Sequence, residues 1–322
     1  MTLTQPSAKI NLSHEKRTAT EPRDRDLHHV ILDKITPVGD RIRTFRLVVK
    51  DKQSGINFLP GQWLDVHVPG IEEAGGFTIT STPRDAVPRD SSLSTDAESS
   101  PFLELAVQKS PENPPAAWLW QHEENILGKE LTVRVGGSFV WPPPEVDIDK
   151  IKRVVFIAGG VGINPLISML SHIRQECASV GHVRLLYSTK LPSNNPNHSE
   201  ILFLPRILDL FRDPQAAPIE DEKDCLELFF TGIWDNSQLL SGDELVHSFN
   251  LPGLQSETRV PAMVWFHRIN ESALSRAIGG QKERRSSVFY VCGPSDMTDH
   301  LVEYLREQDD IAPAQVLCEK WW

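Results

Sequence analysis

The residues with the most chemistry in their spacing are Ala158-Gly159-Gly160-Val161-Gly162-Ile163-Asn164-Pro165. They directly follow the apolar run Val154 to Ala158 and directly precede Leu166 to Gln175, which has helical spacing. Glycines at a strand-to-helix turn remove side chains, so a pyrophosphate can approach the backbone. The helix N-terminus then offers unpaired amides and a favourable dipole to the anion. Pro165 suits the first helical turn, where its missing N–H costs nothing. The spacing is Gly-Gly-x-Gly-x-x-Pro, not Gly-x-Gly-x-x-Gly, so the loop does not say which nucleotide binds, and a tight turn without a ligand is the competing reading. Cys292-Gly293-Pro294 ends a second apolar run, Val288 to Val291. A free cysteine in such a place is commonly an inert core residue, unless it faces a ligand. The ending Glu319-Lys320-Trp321-Trp322 carries two tryptophans. They expose much apolar area unless they pack on a ring system or on a neighbouring domain or subunit. No convincing acid–base pair accompanies these motifs, which argues against a dehydrogenase working on a bound organic substrate.

The elements that must carry these residues change character along the chain. Leu27 to Thr36, Arg41 to Val49, Trp63 to Val68, Phe77 to Thr80, Phe102 to Val107 and Leu131 to Val135 read as short strands. With turn residues between them they predict a small antiparallel β-barrel. Pro114 to Gln121 reads as a short helix. After Pro142-Pro143-Pro144 the texture becomes α/β. Val154 to Ala158 is continuously apolar, as parallel strands covered on both faces are. Further strands are expected at 183–187, 226–230, 264–267, 288–291 and 316–319, with helices at 166–175, 200–211 and 296–308. That alternation predicts a doubly wound parallel sheet with right-handed crossovers. The expected division is a disordered tail over 1–26, a barrel over 27–148 and an α/β domain over 149–322. Asp213 to Asp224 and Asn236 to Val260 look like surface insertions.

Bulk properties exclude several classes. The formal net charge is -11, so a polyphosphate such as DNA is repelled, and the short basic cluster Lys282-Glu283-Arg284-Arg285 reads as a solvated loop. The four cysteines form no Cys-x-x-Cys pair, so neither a metal cluster nor a disulfide scaffold is spelled out. No apolar run reaches the roughly 18 residues a membrane span needs. Lys9, Lys16 and Arg17 give the first residues a faint transit-peptide look, although a polar tail is the simpler reading, and the compartment is expected to be mitochondrial or cytoplasmic.

Taken in order, Pro60-Gly61-Gln62, Phe77-Thr78-Ile79-Thr80-Ser81, Gly136-Gly137-Ser138-Phe139, Gly159-Gly160-Val161-Gly162, Cys292-Gly293-Pro294 and Glu319-Lys320-Trp321-Trp322 resemble the ferredoxin–NADP reductase superfamily from about residue 27 onward. The resemblance implies a flavin-binding barrel and a pyridine-nucleotide domain, with FAD (or FMN) and NAD(P)H stacked between them and hydride passing from nicotinamide C4 to flavin N5. It implies that Phe77 to Ser81 line the flavin, with Thr78 beside N5. It sets Gly159, Gly160, Val161, Gly162, Asn164 and Pro165 at the nucleotide phosphates. Cys292, Gly293, Pro294 and Glu319 fall at the nicotinamide, and Trp321 and Trp322 over the flavin ring. Thr78, Cys292 and Glu319 are thereby the expected catalytic residues.

The sequence also departs from that pattern. The arginine that pairs with the flavin pyrophosphate is Gly75 here, the tyrosine is Phe77, and Ala116 stands where a hydroxyl residue is usual. An arginine–phosphate fork is a strong contact, and Arg84 and Lys109 are candidate replacements. Ser188-Thr189-Lys190 leans weakly to NADH over NADPH, since a lysine offers a 2′-phosphate only a point charge. Two functions therefore stand: a flavoprotein reductase passing electrons to a separate acceptor, protein or small molecule, or a nucleotide-binding or partner-docking protein that has lost its flavin.

Overall fold

The computed structural model describes residues 13–88, 100–177, 179–191, 198–212, 224–232 and 262–321. Two six-stranded sheets organise them, one antiparallel and one parallel, in the expected order along the chain. The segments read as insertions fall outside the described residues, apart from Asp224. Among the described residues no helix is long and apolar enough to cross a membrane.

The first sheet contains β1 (His28–Val38), β2 (Ile42–Val49), β3 (Trp63–His67), β4 (Gly75–Thr78), β5 (Phe102–Gln108) and β6 (Glu130–Gly136), in the spatial order β4-β3-β6-β1-β2-β5. Its two edges meet. Ile79 forms a bridge with Leu105, and the Thr80 amide donates to the Glu104 carbonyl at 2.8 Å. The sheet is thus rolled into a barrel, which leaves no long exposed edge. Alternation along the strands sends Val30, Leu32, Phe45, Leu47, Leu64, Val66, Leu103, Leu105, Val133 and Val135 into one core.

The second sheet contains β7 (Arg153–Gly159), β8 (His182–Lys190), β9 (Cys225–Thr231), β10 (Ala262–Trp265), β11 (Ser287–Pro294) and β12 (Val316–Trp321), in the order β10-β9-β8-β7-β11-β12. Every pairing is parallel. The chain builds outward from β7 through β8, β9 and β10, then returns to the other side of β7 as β11. The carboxyl ends of β7 and β11 therefore form the crevice where such sheets take ligands. The helix α4 (Ile163–Glu176), buried for most of its circumference, lies between this sheet and the barrel; α8 (Ser295–Arg306) covers the opposite face with Leu301, Val302 and Leu305.

Two elements differ from expectation. Residues 200–211 are split into a short turn and a helix at Leu204–Leu210, because Phe203 adopts a left-handed conformation just before Pro205. A helix at Glu271–Ile278 was not expected. Asn270 caps it, its Oδ1 accepting from the Ala273 amide at 3.0 Å. Its C-terminal carbonyls are held by arginines of the sheet: Arg153 donates to Ile278 O at 2.8 Å and Arg184 to Arg276 O at 3.0 Å. Cations are favourable at that end of a helix.

Residues 13–26, within the segment read as a tail, lie along the barrel as a strap. A single helical turn, α1 (His14–Arg17), leads to a bridge between Arg23 and Gly136. Asp24 N donates to Val135 O at 2.9 Å and Gly137 N to Pro22 O at 2.9 Å. The strap adds a short partner to the end of β6, and composition gave no sign of this because its contacts are to residues from about 40 to more than a hundred positions away.

Candidate active site in the cleft between the sheets

A cavity of about 880 Å³ opens where the barrel meets the carboxyl ends of β7, β11 and β12. Its barrel wall includes Trp63, Gly76, Phe77, Thr78 and 106–110; its α/β wall includes Gly159, Gly160, Val161, Asn164, Pro294 and 318–320. The strap contributes His14, Arg17, Thr18 and Glu21.

The α/β wall follows from local sequence. Gly160 has φ +54 and open space around its Cα, so the turn after β7 presents bare backbone. Gly162 is needed for a different reason: a Cβ there would strike the Cys292 carbonyl, so β11 could not lie this close to the start of α4. Asn164 turns away from the turn and donates from Nδ2 to Ala106 O at 2.9 Å, fastening α4 to the barrel. Ser168 adds a second fastener, donating to Ser81 O at 2.6 Å, and Tyr290 a third, donating to Val140 O at 2.8 Å. The two walls are thereby held in fixed register.

The barrel wall is less local. Thr78 is buried, and its Oγ1 has no hydrogen-bond partner among the described residues. A buried hydroxyl left unpaired costs about 1–3 kcal/mol, so an acceptor entering the cleft is favoured there. Phe77 folds over Gly75, such that a side chain on Gly75 would collide with its ring, and packs into the barrel core. The helix α2 (Pro114–Leu119) starts at Asn113, whose Oδ1 accepts from the Ala116 amide at 3.2 Å.

The strap is pinned by one carboxylate. Asp65 is fully buried on β3; Arg23 Nε lies 2.9 Å and Arg134 Nη2 2.7 Å from its Oδ2, while His14 Nε2 lies 3.2 Å from its Oδ1. Burial alone would raise the Asp65 pKa, but hydrogen bonds from His14, Arg23 and Arg134 together hold it well below the usual carboxylate range. The His14 ring meets Trp63 edge-on at 4.6 Å and rests where a side chain on Gly76 would have to go.

Opposite the strap stands Glu319, half-buried on β12, with its Oε2 unpaired. Burial, reinforced by the Glu21 carboxylate, pushes its pKa up to about 8. Glu21 itself accepts from the Ser138 amide at 3.1 Å and from the Ser138 hydroxyl at 2.6 Å.

The expected site residues separate into two sets. Phe77, Thr78, Gly159, Gly160, Val161, Asn164, Pro294 and Glu319 line the cleft. Ile79, Thr80 and Ser81 lie behind it: Ile79 is in the barrel core, Thr80 donates to Glu104 Oε1 at 2.7 Å, and Ser81 Oγ accepts from the Glu104 amide at 3.0 Å. Gly162, Pro165 and Gly293 serve close packing. Cys292 is fully buried in the core with Ala158, Ile163 and Leu166 and does not line the cleft; Cys318 does. The register explains this, since Cys292 pairs with Ala158 and Glu319 inside the parallel sheet, whereas Pro294 lies beyond the end of β7. Arg84 reaches Glu176 at 3.3 Å and is not on the cleft, whereas Lys109 is. The Trp321 side chain and all of Trp322 lie outside the described residues. Sequence reasoning missed His14, Arg17, Thr18, Glu21 and Trp63. For Trp63 a signal existed in Gly136-Gly137, whose lack of side chains makes room for its indole.

The full-length pattern matches known proteins. Human oxidoreductase NAD-binding domain-containing protein 1 is 30% identical over 327 residues, 98% of this chain and 86% of that protein. The chain belongs to that protein's family. The reductase component of propane 2-monooxygenase from Rhodococcus jostii is 25% identical over 278 residues, covering 85% of this chain and 58% of that one. A ferredoxin NADP+ reductase from Neisseria gonorrhoeae, solved with FAD and NADP bound, superposes with a TM-score of 0.56 at 15% identity, over 93% of this chain and 100% of that chain. This last likeness shows the fold: a flavin-domain-like barrel followed by a nucleotide-domain-like parallel sheet. No family model matches the chain.

Proposed function

We propose that the protein is an NAD(P)H-dependent flavoprotein reductase whose reaction takes place in the cleft between the two sheets. One observation carries the reading: an unpaired buried hydroxyl, Thr78 Oγ1, and an unpaired carboxyl oxygen, Glu319 Oε2, belong to residues lining the same 880 Å³ cavity. Buried polar atoms are ordinarily satisfied, and a heteroaromatic ring system between the walls would satisfy both. The glycine turn at Gly159–Val161 fits the phosphates of a dinucleotide, and FAD or FMN fits the barrel wall. Bound together, the two cofactors supply the chemistry, a hydride from nicotinamide C4 to flavin N5 and electrons onward to a separate acceptor.

The chain's own residues bind, orient and hold protons. Thr78 would offer its unpaired hydroxyl as a hydrogen-bond donor to the flavin ring and so help to orient it. Glu319, whose pKa burial raises, would present a neutral donor to the nicotinamide and avoid a buried negative charge beside it. Gly160 and the start of α4 take the nucleotide phosphates on backbone amides. Pro294 closes the crevice from β11. Cys292 supports this wall from behind. Lys190, exposed at the end of β8, would offer the 2′-phosphate of NADPH a point charge and no fork, which supports NADH over NADPH.

Phe77 supports a second reading, in which the fold binds nucleotide without flavin. Its ring is committed to the barrel core over Gly75 and does not reach out as a stacking partner would. One experiment separates the two: an absorption spectrum of the purified protein, after incubation with FAD, before and after NADH under nitrogen. A yellow protein that bleaches supports the reductase; a protein that stays colourless and binds no FAD or FMN leaves the nucleotide-binding reading.

A further inference from the structure

We propose that Arg17, carried to the cleft by the N-terminal strap, is the phosphate-binding residue of the flavin site; this rests on the flavin reading above. FAD and FMN bring negative phosphate into the cleft, and a partly enclosed anion needs a positive partner or several amides. Gly75 provides neither a charge nor a hydrogen-bonding side chain. Among the described residues, the basic side chains lining the cleft are His14, Arg17, Lys109 and Lys320. Lys320 is engaged with Asp299, and His14 is turned to Asp65. Lys109 lies over the Trp120 ring, its Nζ 5.5 Å from the ring centroid. Arg17 is exposed and has no side-chain partner among the described residues.

Arg17 has a defined position as well as a charge. It stands three residues after His14 on the single turn of α1, so both side chains lie on the same face of that turn. The His14 ring is seated against Gly76, the chain neighbour of Gly75. Arg17 is thus brought alongside the part of β4 where Gly75 leaves a vacancy of charge. Asp65 anchors the strap, accepting hydrogen bonds from Arg23 and Arg134 on one side while His14 Nε2 stands 3.2 Å away on the other. Arg23 also donates to Thr18 O at 2.6 Å, directly after Arg17 in the chain. Gly76 fits this arrangement, since any larger residue would displace His14 and with it the turn that carries Arg17.

The test uses the full chain, stripped of flavin and titrated with FAD, FMN and riboflavin by flavin fluorescence. Wild type is compared with Arg17→Gln, Arg17→Lys and Lys109→Gln. A charge-assisted phosphate contact predicts that Arg17→Gln weakens FAD and FMN by about tenfold or more, with partial recovery in Arg17→Lys. Riboflavin, which has no phosphate, binds wild type and Arg17→Gln equally, and NADH affinity is unchanged. The salt dependence of FAD binding becomes shallower in Arg17→Gln. Arg17 is exposed, so the thermal midpoint stays at the wild-type value and a folding defect is not in play.

FAD binding equal to wild type in Arg17→Gln overturns the proposal. So does an equal loss of riboflavin, a loss confined to NADH, or a loss carried by Lys109→Gln instead. Wild-type protein that binds neither FAD nor FMN overturns this proposal and the reductase reading together, whereas flavin-binding wild type with an indifferent Arg17→Gln overturns this proposal alone.

Discussion

The two walls of the cleft are built in opposite ways. The α/β wall is nearly contiguous: Gly159 to Asn164 supply a strand end, a bare turn and a helix start within a few residues, and β11 adds Pro294 beside them. The barrel wall draws Thr78 from β4, Trp63 from β3, Asn113 from the start of α2 and His14, Arg17 and Glu21 from the strap. A wall made of backbone tolerates little change in shape but needs few specific side chains. A wall made of distant side chains depends on whatever holds them together, and here that is the buried Asp65.

The largest effect is therefore expected at Asp65. Asp65→Ala leaves Arg23 and Arg134 without their shared carboxylate, and breaking a buried ion pair in this way costs about 3–5 kcal/mol. Denaturant unfolding measures the loss. Proteolysis at the strap should become faster in the same variant, and an unaltered strap would show that the two walls do not differ as described. The pH dependence has a fixed sign. The folded pKa of Asp65 is depressed, so its contribution is present above the unfolded carboxylate value near 4 and is lost as the pH falls below it.

Next comes the backbone wall. Gly162→Ala places a methyl group against the Cys292 carbonyl and should cost about 1–3 kcal/mol by overpacking. Gly160→Ala meets open space, and its left-handed φ costs only about 1–2 kcal/mol. The comparison sharpens with Gly160→Val, for which NADH affinity should fall while flavin content is kept. Equal flavin and NADH losses in that variant would show that the turn serves both cofactors.

Glu319 gives a pH signature. Its folded pKa, about 8, lies above the ordinary 4.5. The folded state therefore binds the extra proton, and this stability is fully present below about pH 4.5 and lost as the pH rises through 8. Glu319→Gln should unfold at the same temperature as wild type at pH 5 and at a higher temperature at pH 9. Identical profiles would remove Glu319 from the proton-holding role.

At Thr78 the stability change has the opposite sign. Thr78→Val removes an unpaired buried hydroxyl, so stability should stay level or rise, by up to about 1–3 kcal/mol. The rate of flavin reduction by NADH, followed by stopped flow under nitrogen, should nevertheless fall by about tenfold or more if that hydroxyl donates to the ring. An unchanged rate would leave Thr78 as a barrel residue only.

Much of the molecule was legible from the residues in order. The strands of the barrel announce themselves by alternation in Ile42 to Val49 and Leu131 to Val135, and β7 and β11 by unbroken apolar runs. Such patterns reflect burial on one or two faces, which local sequence records. The glycine turn was legible because its tight, bare backbone needs absent side chains, and absence is written residue by residue. Cys292 shows the limit. Its neighbours Gly293 and Pro294 suggested a ligand-facing thiol, but whether a strand residue faces a cleft or a core depends on where the next strand ends, and that is set by pairing with β7.

By itself the sequence determined a barrel followed by a parallel α/β sheet, and a bare glycine turn between β7 and α4. Only the tertiary structure decided that His14, Arg17, Thr18 and Glu21 line the cleft, that Cys318 rather than Cys292 reaches it, and that Glu319 is placed where burial raises its pKa. The reason is physical. Periodicity encodes which face of an element is buried, whereas ion pairs such as Arg23–Asp65–Arg134 and the shifted pKa of Glu319 arise from groups brought together across long stretches of chain, where no local pattern exists to record them.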